Sequence, residues 1–290
     1  MSAATKELIT RRSGRRRRNS LLTHLLLLAL AISWVFPMLW AATGSIDQKL
    51  HLFSRGSSLM IEGAPQWQNY VIAWKDAKFG QFFFNSVTIA FFSVTLTILI
   101  TAMAGYALAR YQFPGRKVIM VLVAITMFLP RGYTLIPIYD IMHVLGLLNT
   151  IWSIVIMQIA GNLIFCTFLF VGYFMSANKE LEEAARIDGA GYNKAFFHVM
   201  FPTARPMIAT VGLFSFIGSW NDFIIPLVFT LGAPDLRTVP VGMAAMVGGA
   251  SGTNWPVLAA ASVISLLPIV VVFVVAQRYI VDAFAGAVKG

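Results

Sequence analysis

KELEEAARIDGAGYNKAFFHVMFP, residues 179–202, lies between two apolar segments that are each long enough to cross a bilayer, and its first ten residues carry most of the acidic charge of the chain's second half. At helical spacing Leu181, Ala184 and Ala185 share one face, while Glu180, Glu182, Glu183 and Arg186 fall on the other. Asn178 is placed to cap an acidic first turn. Gly189 and Gly191 end that helix. A second amphipathic stretch, Tyr192 to Met200, brings Ala195, Phe196 and Val199 to one side before Pro202 stops it. The stretch predicts two short helices joined by a glycine elbow, with an alanine face small enough to sink into a cleft of another protein.

Composition places this loop in a membrane protein. Hydrophobic residues make up 58% of the 290, charged residues only 12%, and the mean hydropathy is +0.75. A water-soluble domain carries roughly twice that charge. The length suits about six spans of ~20 residues with their loops, which leaves no room for a soluble catalytic domain. The apolar runs are Leu21–Ala42, Phe82–Leu108, Val118–Tyr139, Ile151–Tyr173, Met207–Leu231 and Trp255–Gln277. The third is interrupted by Pro130, Arg131, Gly132, Tyr133 and Thr134, and the fifth contains Ser219, Trp220, Asn221 and Asp222.

The net charge of +10 is a topology signal rather than a sign of nucleic-acid binding. Arg11, Arg12 and Arg15 to Arg18 precede the first span, and Arg110, Arg116, Lys117, Lys179, Arg186, Lys194, Arg205, Arg278 and Lys289 fall on the same side as that arm. The fold class expected is an all-α polytopic membrane protein of about six transmembrane helices, with cytoplasmic N- and C-termini and the 179–202 loop in the cytoplasm between spans 4 and 5. It divides into a basic arm, 1–19, a six-span domain, 20–280, and a tail, 281–290. The first apolar run is long for a signal peptide and reads as a retained anchor, with the basic arm a solvated segment that sets topology and contact with anionic lipid as its alternative.

Several chemistries are missing. There is no GxxxxGK[ST] phosphate loop, so the chain has no means to cradle a nucleotide. His24, His51, His143 and His198 lack ligand spacing, and the lone Cys166 makes no intrachain disulfide. An enzyme is not expected, nor a cofactor or metal held by this chain. Two intramembrane clusters are candidates for a solute pathway. Arg131 and Tyr133 sit where Pro130 and Gly132 free backbone groups. Trp220, Asn221 and Asp222 offer an aromatic face and polar partners for hydroxyl groups, and helix packing is the competing role for them.

Glu183-Ala184-Ala185, three residues, Gly189, nine residues and Val199-Met200-Phe201-Pro202 together resemble the EAA loop of ABC importer membrane subunits. The fuller run EEAARIDGA is similar to the carbohydrate-uptake branch, the maltose-transporter-like permeases. Arg110 with Phe113-Pro114-Gly115-Arg116, and Ser219 to Phe223, also resemble that family. The resemblance implies that Glu183, Ala184, Ala185, Asp188, Gly189 and Pro202 couple the permease to an ATPase. It implies a homologous second permease subunit, an ABC ATPase dimer that binds ATP and Mg on the cytoplasmic side, and an extracytoplasmic solute-binding protein. The expected cargo is a sugar or oligosaccharide. An acidic sugar or a phosphate ester such as a glycerol phosphate is the alternative, and an ATP-independent secondary transporter or channel is the alternative of another class. The location implied is the bacterial cytoplasmic (inner) membrane.

The missing phosphate loop makes a direct prediction: the purified chain, freed of any ATPase, neither binds nor hydrolyses ATP. Nucleotide turnover by such a sample would overturn this reading.

Overall fold

The computed structural model describes residues 3–48, 59–61, 64–127, 134–248 and 252–287, with side chains described from 23 to 278 within those ranges. These residues are helical throughout their ordered elements, and no strand occurs among them. In chain order the helices are α1 (Ala3–Ser45), α2 (Gln68–Val71), α3 (Phe79–Arg110), α4 (Arg116–Thr126), α5 (Leu135–Val144), α6 (Ile151–Ser176) and α7 (Lys179–Ile187). There follow α8 (Tyr192–Ala195), a π turn over Phe196–Met200, α9 (Phe201–Thr203), α10 (Arg205–Asn221), α11 (Ile224–Phe229), α12 (Val239–Ala245) and α13 (Trp255–Ala287).

The chain forms two compact units. In the first, residues 1–73 and 253–264, the end of α1 is tied to α2. Asn69 Nδ2 donates to the carbonyls of Ser45 and Asp47 at 2.9 and 3.1 Å, and the Ser45 and Tyr70 hydroxyls lie 2.7 Å apart.

The second unit, residues 74–252 and 265–290, is built on α3. Ser93, Thr97, Thr101 and Gly105 recur every fourth residue along its buried face. Small residues at that spacing let two helix backbones approach closely. The approach to α6 is so close that a Cβ on Gly105 would lie 2.5 Å from the Cβ of Phe170. Contacts advance in step along both helices: Phe92 meets Trp152, Gly105 meets Phe170, and Arg110 meets Ala177. Helices α3 and α6 therefore run in the same direction. Helix α10 runs against α6, since Ser215 faces Cys166 and Ser219 faces Gln158. Near the loop-bearing end, Ala102, Tyr106, Phe170, Phe174, Phe196, Met200 and Val211 close one core.

Among the described residues, four helical segments are long and apolar enough to cross a membrane: Thr23–Ser45, Phe79–Arg110, Ile151–Ser176 and Trp255–Arg278. The expected third and fifth spans are not continuous helices. Within the former lie α4, of 11 residues, and α5, of 10. At 1.5 Å per residue each covers about 15 Å of a ~30 Å hydrocarbon core. The fifth ends at Asn221, where Asp222 turns extended, and resumes as α11.

Gly105 generates a prediction. Gly105→Leu drives a side chain into Phe170 and should cost about 1–3 kcal/mol, as overpacking does, lowering the thermal midpoint of the detergent-solubilised protein. Gly161→Leu, where nothing lies within 4 Å of an added Cβ, should leave the midpoint unchanged. Equal midpoints for the two variants would contradict the close approach.

Candidate functional site

Helix α7 starts and stops as its local chemistry dictates. Asn178 Oδ1 accepts from the Glu180 amide at 3.0 Å, and Glu180 and Glu182 place negative charge in the first turn, where the helix dipole favours it. At the other end Gly189 takes φ 79°, its amide donates to Arg186 O at 3.0 Å, and the Ala190 amide donates to Ala185 O at 2.9 Å. This pair of bonds around a left-handed residue is a Schellman turn. Nothing lies within 4 Å of a Cβ added to Gly189, so backbone conformation alone selects glycine there.

Two features of the loop differ from the sequence expectation. Proline 202 does not stop the second helix: Pro202 lies inside Phe201–Thr203, and the helical segment Tyr192–Thr203 breaks at Ala204, to meet α10 at 76°. Pro202 lies just after the π turn Phe196–Met200, at the start of the last short helical piece. The Tyr173 hydroxyl holds this break against α6 by donating to Thr203 O at 2.6 Å. The second difference concerns Glu182, grouped by helical spacing on one face with Glu180, Glu183 and Arg186. It is the only residue of α7 that is buried.

Its carboxylate is the hub of a charged cluster. One oxygen accepts from Arg186 at 2.6 Å, one turn along the same helix. The other lies 3.4 Å from Nε of Arg110, the last residue of α3, and both side chains of that pair are at least nine-tenths buried. The 3.4 Å separation is that of an ion pair without an aligned hydrogen bond. Arg110 also donates to Ala177 O, the C-cap of α6, at 2.8 Å. The guanidinium of Arg186 stands over the rings of Tyr111 and Tyr192, at 5.8 and 5.1 Å. Partial burial works against the charged form of Arg186, but the Glu182 carboxylate and Tyr111 outweigh it and raise the pKa above its ordinary value.

With Glu182 turned inward, α7 presents its other side. Leu181, Glu183, Ala184, Ile187 and Asp188 are exposed, and Ala185 is half-buried. Four of the six loop residues singled out from the sequence, Glu183, Ala184, Ala185 and Asp188, are thus brought together on one small outward helix. Gly189 forms its turn, and Pro202 lies apart in the second helix.

Among the described intramembrane candidates, Trp220, Asn221 and Asp222 are each engaged by protein groups. Trp220 is 2% exposed, donates from Nε1 to Ser265 O at 3.1 Å, and packs against Phe216 and Phe83. Its ring is covered by these neighbours. Asp222 stabilises the break between α10 and α11: one oxygen accepts from the Ile225 amide at 3.4 Å, the other from Gln158 Nε2 at 3.3 Å. Gln158 Oε1 in turn accepts from the Ser219 hydroxyl at 2.6 Å. Asn221 is exposed and bonds back to Ile217 O. Arg131 and Tyr133 lie outside the described residues. Sequence reasoning missed Gln158 and Arg110 as members of sites. A glutamine within an apolar span and an arginine at a span's very end were the available signals.

Residues 98–285 match the family described as "Binding-protein-dependent transport system inner membrane component". The chain belongs to that family. It is accordingly a multi-pass component of a bacterial inner membrane and a permease subunit of an ABC transporter. The chain is 34% identical over 274 residues to a diacetylchitobiose uptake system permease protein of Streptomyces coelicolor, covering 94% of this chain and 88% of that one. It is 31% identical to a galactooligosaccharides transport system permease protein of Bacillus subtilis, covering 93% and 95% respectively. A chain of a bacterial ABC transporter involved in the import of the acidic polysaccharide alginate superposes with a TM-score of 0.78 at 25% identity, covering 91% of this permease and 97% of that chain.

The turn at Gly189 separates two kinds of substitution. Because the space is open and only the left-handed backbone is demanding, Gly189→Asn should be tolerated, whereas Gly189→Val should cost on the order of 1–2 kcal/mol. Limited proteolysis at residues 187–191 reads the difference. Equal protection of both variants would show that the left-handed turn is not needed.

Proposed function

We propose that this permease subunit forms half of the translocation pathway of an ATP-driven importer, paired with a homologous second permease subunit. Helix α7 enters a cleft of an ABC ATPase dimer that binds ATP and Mg. Glu183 meets a basic group there, with Ala184, Ala185 and Asp188 packed beside it. A solute-binding protein delivers a sugar or oligosaccharide on the opposite face. Both termini lie in the cytoplasm, and α4 and α5 together make the third of six crossings. The co-directional α3 and α6 support this, since the chain must recross the membrane between them.

The observation that carries the reading is the outward display of Glu183, Ala184 and Asp188 on a capped helix whose only buried side chain is an ion-paired glutamate. A helix serving its own fold would bury its apolar face, and this one exposes Leu181 and Ile187 instead. The sugar assignment rests on the solutes in the names of the relatives. The alginate importer favours a second reading, an acidic oligosaccharide, for which Arg131 and Tyr133 would be the pathway groups, with Asn221 nearer the exposed surface of α10.

The test is reconstitution with the partner permease, ATPase and binding protein in liposomes, challenged with neutral and uronic-acid oligosaccharides. Solute-stimulated ATP hydrolysis and uptake are expected together. Glu183→Lys should still insert but lose both, because a repulsion replaces an attraction at a partly desolvated contact, where losing one partner costs ~2 kcal/mol or more. An acidic substitution at the rim of the ATPase cleft should restore part of the loss. Solute movement by this subunit alone, driven by an ion gradient, would overturn the proposal.

A further inference from the structure

Glu182 neighbours the outward face of α7 but does not belong to it. Its side chain is 7% exposed and faces the interior, where Arg110, 5% exposed, meets it. Through Arg110 the carboxylate is joined to the end of α3, and through the second arm of the same guanidinium, 2.8 Å from Ala177 O, to the end of α6. A single fork thus links α7 to the two co-directional helices on which the second unit is built.

Helix α7 does not need this pair in order to be a helix, because Asn178 caps one end and the Gly189 turn closes the other. Nor is a buried ion pair the most stabilising way to anchor it, since well-packed apolar side chains of similar volume often do as well or better. A planar guanidinium that donates to Ala177 O at 2.8 Å and faces the Glu182 carboxylate at 3.4 Å does something an apolar contact does not: it favours one orientation of α7.

We propose that the Glu182–Arg110 pair is the joint through which displacement of α7 is passed to α3 and α6, with Glu182 a positioning residue that never touches the ATPase. This rests on the coupling role proposed for Glu183. Motion imposed on the outward face pulls on the carboxylate, the guanidinium carries it to the ends of both helices, and their close contact at Gly105 and Phe170 makes them move together.

The experiment uses the full reconstituted importer and measures three quantities for each variant: co-purification of the ATPase, ATP hydrolysis, and solute taken up per ATP. Glu182→Gln is expected to keep the ATPase bound and hydrolysing while solute per ATP falls about fivefold or more, the lower range of coupling between sites. Arg110→Lys keeps the positive charge but loses the fork that reaches both Glu182 and Ala177, and should show the same defect. It carries the test if Glu182→Gln does not accumulate. The double variant should be no worse than the more affected single one, as expected for two ends of one joint. Wild-type solute per ATP in both single variants would overturn the proposal. So would parallel loss of ATPase binding and uptake, which marks a merely structural pair. A failure of the coupling reading itself looks different, because Glu183→Lys would then retain normal uptake.

Discussion

The second unit depends on how near α3 comes to α6. Ser93, Thr97, Thr101 and Gly105 line one face of α3, and only a stripe this small lets the Cβ of Phe170 come within 2.5 Å of where a Cβ on Gly105 would be. That approach sets the two helices in register along their length, and their ends then arrive together, with Arg110 within reach of Ala177 O. The rest is fitted to this pair. Helix α10 lies antiparallel against α6, while Phe196 and Met200 from the loop fill the space beside Tyr106, Phe170 and Phe174.

The loop is fastened to this frame at two points of different character. At Phe196 and Met200 the contact is apolar and non-directional, and a buried cluster of that kind resists removal but not small rotation. At Glu182 it is charged and directional. Removing one partner of such a pair leaves a buried charge uncompensated, an effect of about 3–5 kcal/mol. The arrangement leaves Leu181, Ala184 and Ile187 uncovered, which is the condition for a helix that another subunit is to grip.

Polar groups inside the apolar segments follow the same economy. Asp222 and Gln158 do not stand open: each bonds to the other, and Asp222 caps the helix that restarts after the break. The interruption between α10 and α11 is therefore satisfied from within the protein, as irregular backbone at membrane depth must be.

Much of this was legible in the amino-acid order. Long apolar runs announced α1, α3, α6 and α13, because hydrocarbon thickness sets their length. Asn178 and Gly189 announced the ends of α7, because capping and left-handed turns are local chemistry that few residue types supply. The Glu-Ala-Ala pattern located the outward face. The side on which Glu182 lies was decided by tertiary structure alone: helical periodicity groups residues by angle, but which angle points inward depends on Arg110, a residue far off in the chain that packing brings beside it. The same holds for Trp220, whose aromatic face is legible in the sequence but not its cover of Phe216, Phe83 and Ser265. Local order determined which segments are helices and where they stop. Only packing between distant segments decided which of their polar groups face a partner, because that depends on what the neighbouring helix places opposite them.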